Sequence, residues 1–270
     1  VSYQTAYLKY YYPVEFMAAL MTSVIDNPGK VAEYIYSCRQ MGIKILPPDI
    51  NHGYSSFSAD NGSIRYGLAA IKSIGRPVIK EIVAERKANG EFKNLKDFIE
   101  RMSGKDINKR TIENFIKSGA FDELGGTRKQ FMVIYVQILD QVNREKKNSM
   151  TGQMSLFDIV GEEQKSEFDI PLPNVGEYEK STKLAFEKEV LGIYLSGHPM
   201  EEYEEQWRKG ISKTTQDFQF DEELGFSRVS DGATEIIGGI IASKTIKYTK
   251  NNKTCLLYTS PSPRDRTRSR

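Results

Sequence analysis

Apolar positions recur at helical spacing along most of the chain before residue 200, and at strand spacing only in short pieces. Tyr3, Tyr7, Tyr10 and Tyr11 form the first stripe, which predicts a helix over 1–12 with its aromatic face in the core; Pro13 opens a second through Phe16, Leu20 and Val24. Asn27 and Pro28 read as an N-cap and first helical residue for a helix that Gly42 ends. Residues 43–46 are a strand candidate stopped by Pro47 and Pro48, and 57–66 read as a hairpin turning at Asp60, Asn61 and Gly62. Further helices are expected over 95–102, over 107–116, from a Thr127 cap to about residue 146, and over 177–195. A β pattern returns at 234–247, around Ile236, Ile237, Ile240 and Ile241, and no proper partner strand follows the turn at 248–253. The expectation is a mainly α fold with a small β hairpin and a truncated β element near the C-terminus.

Residues 66–86, YGLAAIKSIGRPVIKEIVAER, join two apolar-periodic segments across Ser73, Ile74, Gly75, Arg76 and Pro77, too short for anything but a tight helical hairpin. Gly75 permits φ > 0, and Pro77 suits the start of the second helix. Amides freed at that helix start, beside Lys72, Arg76 and Lys80, suit a phosphate; a packed helical hairpin has the same pattern. A second tight turn at Lys117, Ser118, Gly119 and Ala120 repeats the plan at an offset of about 44 residues, with Lys105, Lys109, Arg110, Lys117, Arg128 and Lys129 around it. The doubling favours a shared purpose.

The 270 residues carry a net charge of +2, of which four arginines and one aspartate in 264–270 supply +3, so the remainder is at −1 and any nucleic-acid surface must be local. No apolar run approaches the ~18 residues of a membrane span, and the N-terminal residues lack the pattern of a cleaved leader; the expectation is a soluble, cytoplasmic protein with no membrane partner. Cys38 and Cys255 stand far apart, and His52 and His198 lack nucleophile or ligand partners at a recognisable spacing, so no metal or catalytic site is assigned.

Residues 148–175 are polar, Gly- and Pro-containing and read as a linker. Within it Gln153, Met154, Ser155, Leu156 and Phe157 form an apolar island, which is either incidental or a docking peptide. The acidic run 201–205 reads as a solvated helix face. Cys255 to Asp265 resembles the translation of a transposase-type sequencing adapter, and the natural sequence is expected to stop near Thr254.

Five segments together resemble the alpha subunit of bacterial DNA polymerase III, the DnaE type of replicative polymerase. They are SYQTAYLKYYYPVEFMAALMTS (2–23), CRQMGIKILPPDIN (38–51), IRYGLAAIKSIG (64–75), NKRTIENFIKSGAFDELG (108–125) and EKEVLGIYLSGHPMEEY (187–203), in family order. The resemblance implies the end of the polymerase fingers over 1–63, a tandem helix-hairpin-helix region that grips duplex primer-template DNA over 64–147, and a linker with a clamp-binding peptide over 148–175. It further implies a helical connector over 176–230 and the start of an OB domain over 231–254, with the adapter-like tail over 255–270. DNA contact would fall to Lys72, Ser73, Gly75, Arg76, Lys80, Lys109, Arg110, Lys117, Gly119, Arg128 and Lys129. Sliding-clamp contact would fall to Gln153, Ser155, Leu156 and Phe157, and other replisome subunits would be partners. Mg2+ would belong to the parent's palm carboxylates, with no cofactor and no catalytic residue in this segment. The family prefers glycine at both flanking turn positions, where this chain has Ser73 and Ser118 at the first; Ser73 keeps its amide but makes φ > 0 less accessible. The other reading is a non-enzymatic helix-hairpin-helix DNA-binding adaptor, and a third is a purely structural helical domain.

Overall fold

Three helices open the structure, a computed structural model that describes residues 2–150, 170–218, 220–221, 226–240, 243–248 and 254–259. They are α1 (Ser2–Tyr11), α2 (Pro13–Ser23) and α3 (Pro28–Gln40). Prolines stand at the first turns of α2 and α3, where no amide donor is needed. Asn27 caps α3 by accepting from the Lys30 amide at 3.2 Å, and Gly42, at φ +72°, carries the chain away. The aromatic stripe of α1 does not enter the core: Tyr3 is 82% exposed and Tyr10 79%. Its rings meet one another, Tyr7 against Tyr11 at 4.5 Å. A helical period shows that a face is apolar; it does not supply the element that covers it.

A three-stranded sheet follows, β1 (Ile45–Leu46), β2 (Ser58–Asp60) and β3 (Ser63–Arg65), in the order β1-β3-β2. β1 runs parallel to β3 with Ile45 opposite Ile64, and β2 antiparallel with Ser58 opposite Arg65. Asn61 and Gly62 both take positive φ, as a two-residue hairpin turn requires, and an Arg65–Asp60 ion pair at 2.8 Å closes it.

The segment expected as the first hairpin helix is a single 3-10 turn, Leu68–Ala70, followed by α4 (Arg76–Asn89). Next come α5 (Leu95–Met102), α6 (Lys109–Ser118), α7 (Arg128–Met150) and α8 (Lys180–Leu191). Phe98 of α5 is fully buried and meets Phe92, Phe115 and Phe121 edge-on at 5.0, 6.2 and 4.9 Å, which knits α5 to α6 and to the turn beyond. Burying each such ring stabilises by roughly 1.5–3 kcal/mol. Thr127 and Gln130 form a capping box on α7: the Gln130 amide donates to Thr127 Oγ1 at 3.2 Å, and the Thr127 amide to Gln130 Oε1 at 2.9 Å.

All of these elements lie in the first of two compact units, Val1–Ser196; the second is Gly197–Arg270. The division falls inside the expected 176–230 connector, because α8 packs on α6. In the second unit α9 (Glu204–Gly210) carries exposed acids at its start, as expected, and the Trp207 indole donates to the Gly238 carbonyl at 2.9 Å. Short strands β4 (Phe220–Asp221) and β5 (Phe226–Ser227) pair antiparallel. β6 (Ser243–Tyr248) starts later than the expected 234–247 strand, and Ile236 and Ile237 are exposed rather than in a core. It does find a partner in β7 (Thr254–Thr259), from Ser243 opposite Thr259 to Tyr248 opposite Thr254. Backbone pairing places few demands on side chains, so the change of composition at Cys255 does not prevent it. No helix among the described residues is long and apolar enough to cross a membrane.

Candidate nucleic-acid interface

Lys72, Ser73, Gly75, Arg76 and Lys80 come together as an exposed group at the start of α4. The strained residue is Ser73, at φ +63°, whereas Gly75 sits at φ −76° and serves as the N-cap. This reverses the expected assignment of positive φ to Gly75. A Cβ on Gly75 would meet only Pro77 Cδ at 3.6 Å, an ordinary contact, so neither conformation nor internal space demands a glycine there. What the glycine leaves out is a capping side chain in front of the helix start. The first helical bond runs from the Ile79 amide to the Gly75 carbonyl at 3.3 Å; the Arg76 and Val78 amides precede it, and Pro77 has none. Those amides and the helix dipole favour an anion.

The Ser73 turn is held from two sides. The Lys72 amide donates to the Val190 carbonyl of α8 at 2.8 Å, and Asn114 Nδ2 of α6 donates to the Lys72 carbonyl at 2.7 Å. Among the described residues Lys72 and Lys80 join no ion pair, and Arg76 reaches only Asp26, at 3.6 Å, with both side chains well exposed. Such a pair is worth little.

The second group is of another kind. Gly119, at φ +83°, closes α6 in the left-handed conformation, whereas Gly75 opens α4 in an extended one, so the expected repeat at an offset of about 44 is not structural. Ser118 is the last helical residue, fully buried, with its hydroxyl donating to Phe115 O at 2.9 Å. The Gly119 amide is spent on the Ile116 carbonyl at 3.1 Å. Arg128 is 3% exposed and pairs with Asp122 at 2.8 Å and with Glu187 at 3.4 Å; Glu187 is itself 1% exposed and accepts from the Leu195 and Ser196 amides. Lys117 lies between Glu113 and Glu189, each at 2.9 Å. Burial works against the Lys117 charge, but the two carboxylates outweigh it and raise its pKa. The Arg128 and Lys129 amides at the start of α7 face the Glu177 carboxylate at 3.4 and 3.3 Å, and Lys129 Nζ sits 6.0 Å from the Tyr178 ring. Lys117, Gly119 and Arg128 therefore serve the packing of α6, α7 and α8.

The true duplicate of the first turn lies at an offset of 33 residues. Ile74, Ile79, Ile82 and Val83 correspond to Ile107, Ile112, Phe115 and Ile116. Ser73 at φ +63° corresponds to Asp106 at φ +30°, the N-cap Gly75 to the N-cap Asn108, Arg76 to Lys109, and Lys72 to Lys105. The second hairpin is thus α5, the turn 103–108 and α6. Lys109 and Arg110, both expected at the interface, are exposed at the head of α6; Lys109 pairs with Asp140 at 3.3 Å. Sequence reasoning missed Asp106, Asn108 and Asn114; the offset-33 match of the apolar positions is the signal that finds the first two.

Gln153, Ser155, Leu156 and Phe157 lie outside the described residues. Asp49, His52 and Glu123 approach one another near Ile50, but Asp49 is occupied in holding its own loop, accepting from the Asn51 and His52 amides at 2.7 and 2.6 Å.

A helix-hairpin-helix motif matches residues 42–131, which spans both turns just described. The chain is 40% identical over 259 residues to the DNA polymerase III subunit alpha of Campylobacter jejuni, covering 94% of this chain and 21% of that protein. It is 40% identical over 204 residues to that of Escherichia coli K12, covering 75% and 18%, and 40% identical over 200 residues to that of Mycobacterium leprae, covering 74% and 17%. The chain spans about a fifth of the length of the curated relatives it matches. With both hairpin turns inside the matched motif and 40% identity held across most of its length, the chain belongs to the DNA polymerase III alpha-subunit family.

Proposed function

We propose that this chain is the part of a DNA-directed DNA polymerase that holds duplex primer-template DNA by its backbone and docks the sliding clamp. The observation that carries the first half is the open start of α4, where the Arg76 and Val78 amides stand beside exposed Lys72, Arg76 and Lys80. Amides and cations bind phosphate without reading bases, which suits an enzyme that must pass every sequence. Ser73 and Gly75 shape the turn that presents them. Catalysis, with its Mg2+, is assigned to palm carboxylates of the parent enzyme, and the residues named here act on the duplex that the reaction produces.

For the second half, Gln153, Ser155, Leu156 and Phe157 supply what a clamp groove takes: a hydrogen-bonding peg and two apolar anchors. A clamp held this way raises the local concentration of polymerase at the primer end. The names of the relatives support a replisome setting.

Fluorescence anisotropy with two duplexes of unrelated sequence tests the DNA reading. Equal affinities that fall linearly in log K against log salt are expected. Absence of binding at low salt, or a strong preference for one sequence, overturns it.

A further inference from the structure

The two hairpins share a plan but differ at the positions that would face an anion. In the first, Gly75 has no side chain to satisfy the Val78 amide. In the second, Asn108 Oδ1 accepts from the Thr111 amide, the counterpart of Val78, at 2.9 Å. Ser73 in the first turn is neutral, and Asp106 at its place in the second is an exposed carboxylate. Lys72 joins no ion pair among the described residues, whereas its counterpart Lys105 is drawn to Glu85 at 2.6 Å and Glu81 at 3.9 Å. At the next position the two hairpins are alike, since Lys109 makes an exposed pair with Asp140 at 3.3 Å as Arg76 does with Asp26 at 3.6 Å.

Resting on the DNA reading above, we propose that Asp106 and Asn108 set the strength of the chain's hold on duplex DNA by closing the second hairpin to phosphate. Asn108 consumes an amide that would otherwise receive the anion, and Asp106 repels it. Two open hairpins would grip the backbone at a second fixed set of phosphates, and each grip must be broken as the duplex advances. A single open hairpin holds the backbone and lets it move.

The test grafts the first turn onto the second. Asp106→Ser with Asn108→Gly makes the second turn Ser-Ile-Gly, and exchange of an Asn cap for Gly costs only a few tenths of a kcal/mol of helix stability. In the 270-residue chain, anisotropy with a 20-base-pair duplex of arbitrary sequence is followed from low to moderate salt. The graft should bind about three-fold tighter or better at low salt, with a salt slope steeper by about 0.9, the equivalent of one further phosphate neutralised. Unchanged affinity and slope, or weaker binding, overturns the proposal. The reciprocal graft, Ser73→Asp with Gly75→Asn, separates this from the parent reading. It should weaken binding, and if it has no effect the first hairpin is not where the DNA is held, so both readings fall. If it weakens binding while the forward graft changes nothing, the DNA reading stands and the role of Asp106 and Asn108 falls. Circular dichroism melting of each graft checks that the fold is kept.

Discussion

Asn114 Nδ2 donates to the Lys72 carbonyl at 2.7 Å, so a helix of the second hairpin holds the turn of the first. Asn114 is 7% exposed, and its counterpart in the repeat, Glu81, is an exposed residue of α4, so this bond breaks the symmetry of the duplication. Asn114→Ala removes a bond worth about 1 kcal/mol next to the left-handed Ser73. Duplex affinity should fall a few-fold while the salt slope is kept, because the cations remain but the turn is less fixed. Salt-series anisotropy reads both quantities.

Arg128 and Lys72 are both basic residues of the matched motif, and their substitutions should separate cleanly. Arg128→Ala strands the buried Glu187 carboxylate and should destabilise the chain by about 3–5 kcal/mol in urea unfolding. Lys72→Ala should leave stability within about 0.5 kcal/mol and weaken duplex binding. Gly119→Ala belongs with Arg128, since its methyl would meet the Arg128 guanidinium and the Asp122 carboxylate at φ +83°; a loss of about 1 kcal/mol or more is expected.

Glu85 ties α4 to the second turn. The Lys105 ammonium and the Asn89 side-chain Nδ2, helped by Arg101, hold its carboxyl down at about 2. A folded-state value below the unfolded one contributes stability that is present above the ordinary carboxylate range and is lost as pH falls toward 2. Melting temperature should therefore drop between about pH 4.5 and pH 2, and Glu85→Gln should lower it at neutral pH and flatten that part of the acid limb. An unchanged acid limb in the variant would remove Glu85 as its cause.

Leu156→Ala with Phe157→Ala should abolish co-elution with the sliding clamp and leave duplex affinity unchanged, since the apolar anchors carry such docking and the cations do not. Co-elution that survives the double substitution makes the peptide incidental.

Much of the fold was legible because local chemistry decided it. Asn27 with Pro28, Asn61 with Gly62, and Thr127 each form the cap or turn that their residue types require. The helix-hairpin-helix match over 42–131 overlaps the 64–147 region that the resemblance implied. What sequence could not show depended on tertiary company. The tyrosines of α1 have a helical period and no covering element among the described residues, and the cations at 117 and 128 look like surface residues until α8 brings Glu187 and Glu189 to them. The repeat was misregistered because Ser and Gly recur near residue 118. The positions that match are the apolar ones, and Asp106 and Asn108 disguise the second turn.

In the proposed function the first hairpin holds the DNA backbone through Lys72, Arg76 and Lys80. Its most direct test is the salt dependence of duplex binding by the chain in which all three are alanine. The slope of log K against log salt should become shallower by roughly 0.9 for each phosphate that is no longer neutralised, up to about 2.7 for three. A slope and an affinity identical to those of the unaltered chain would contradict it.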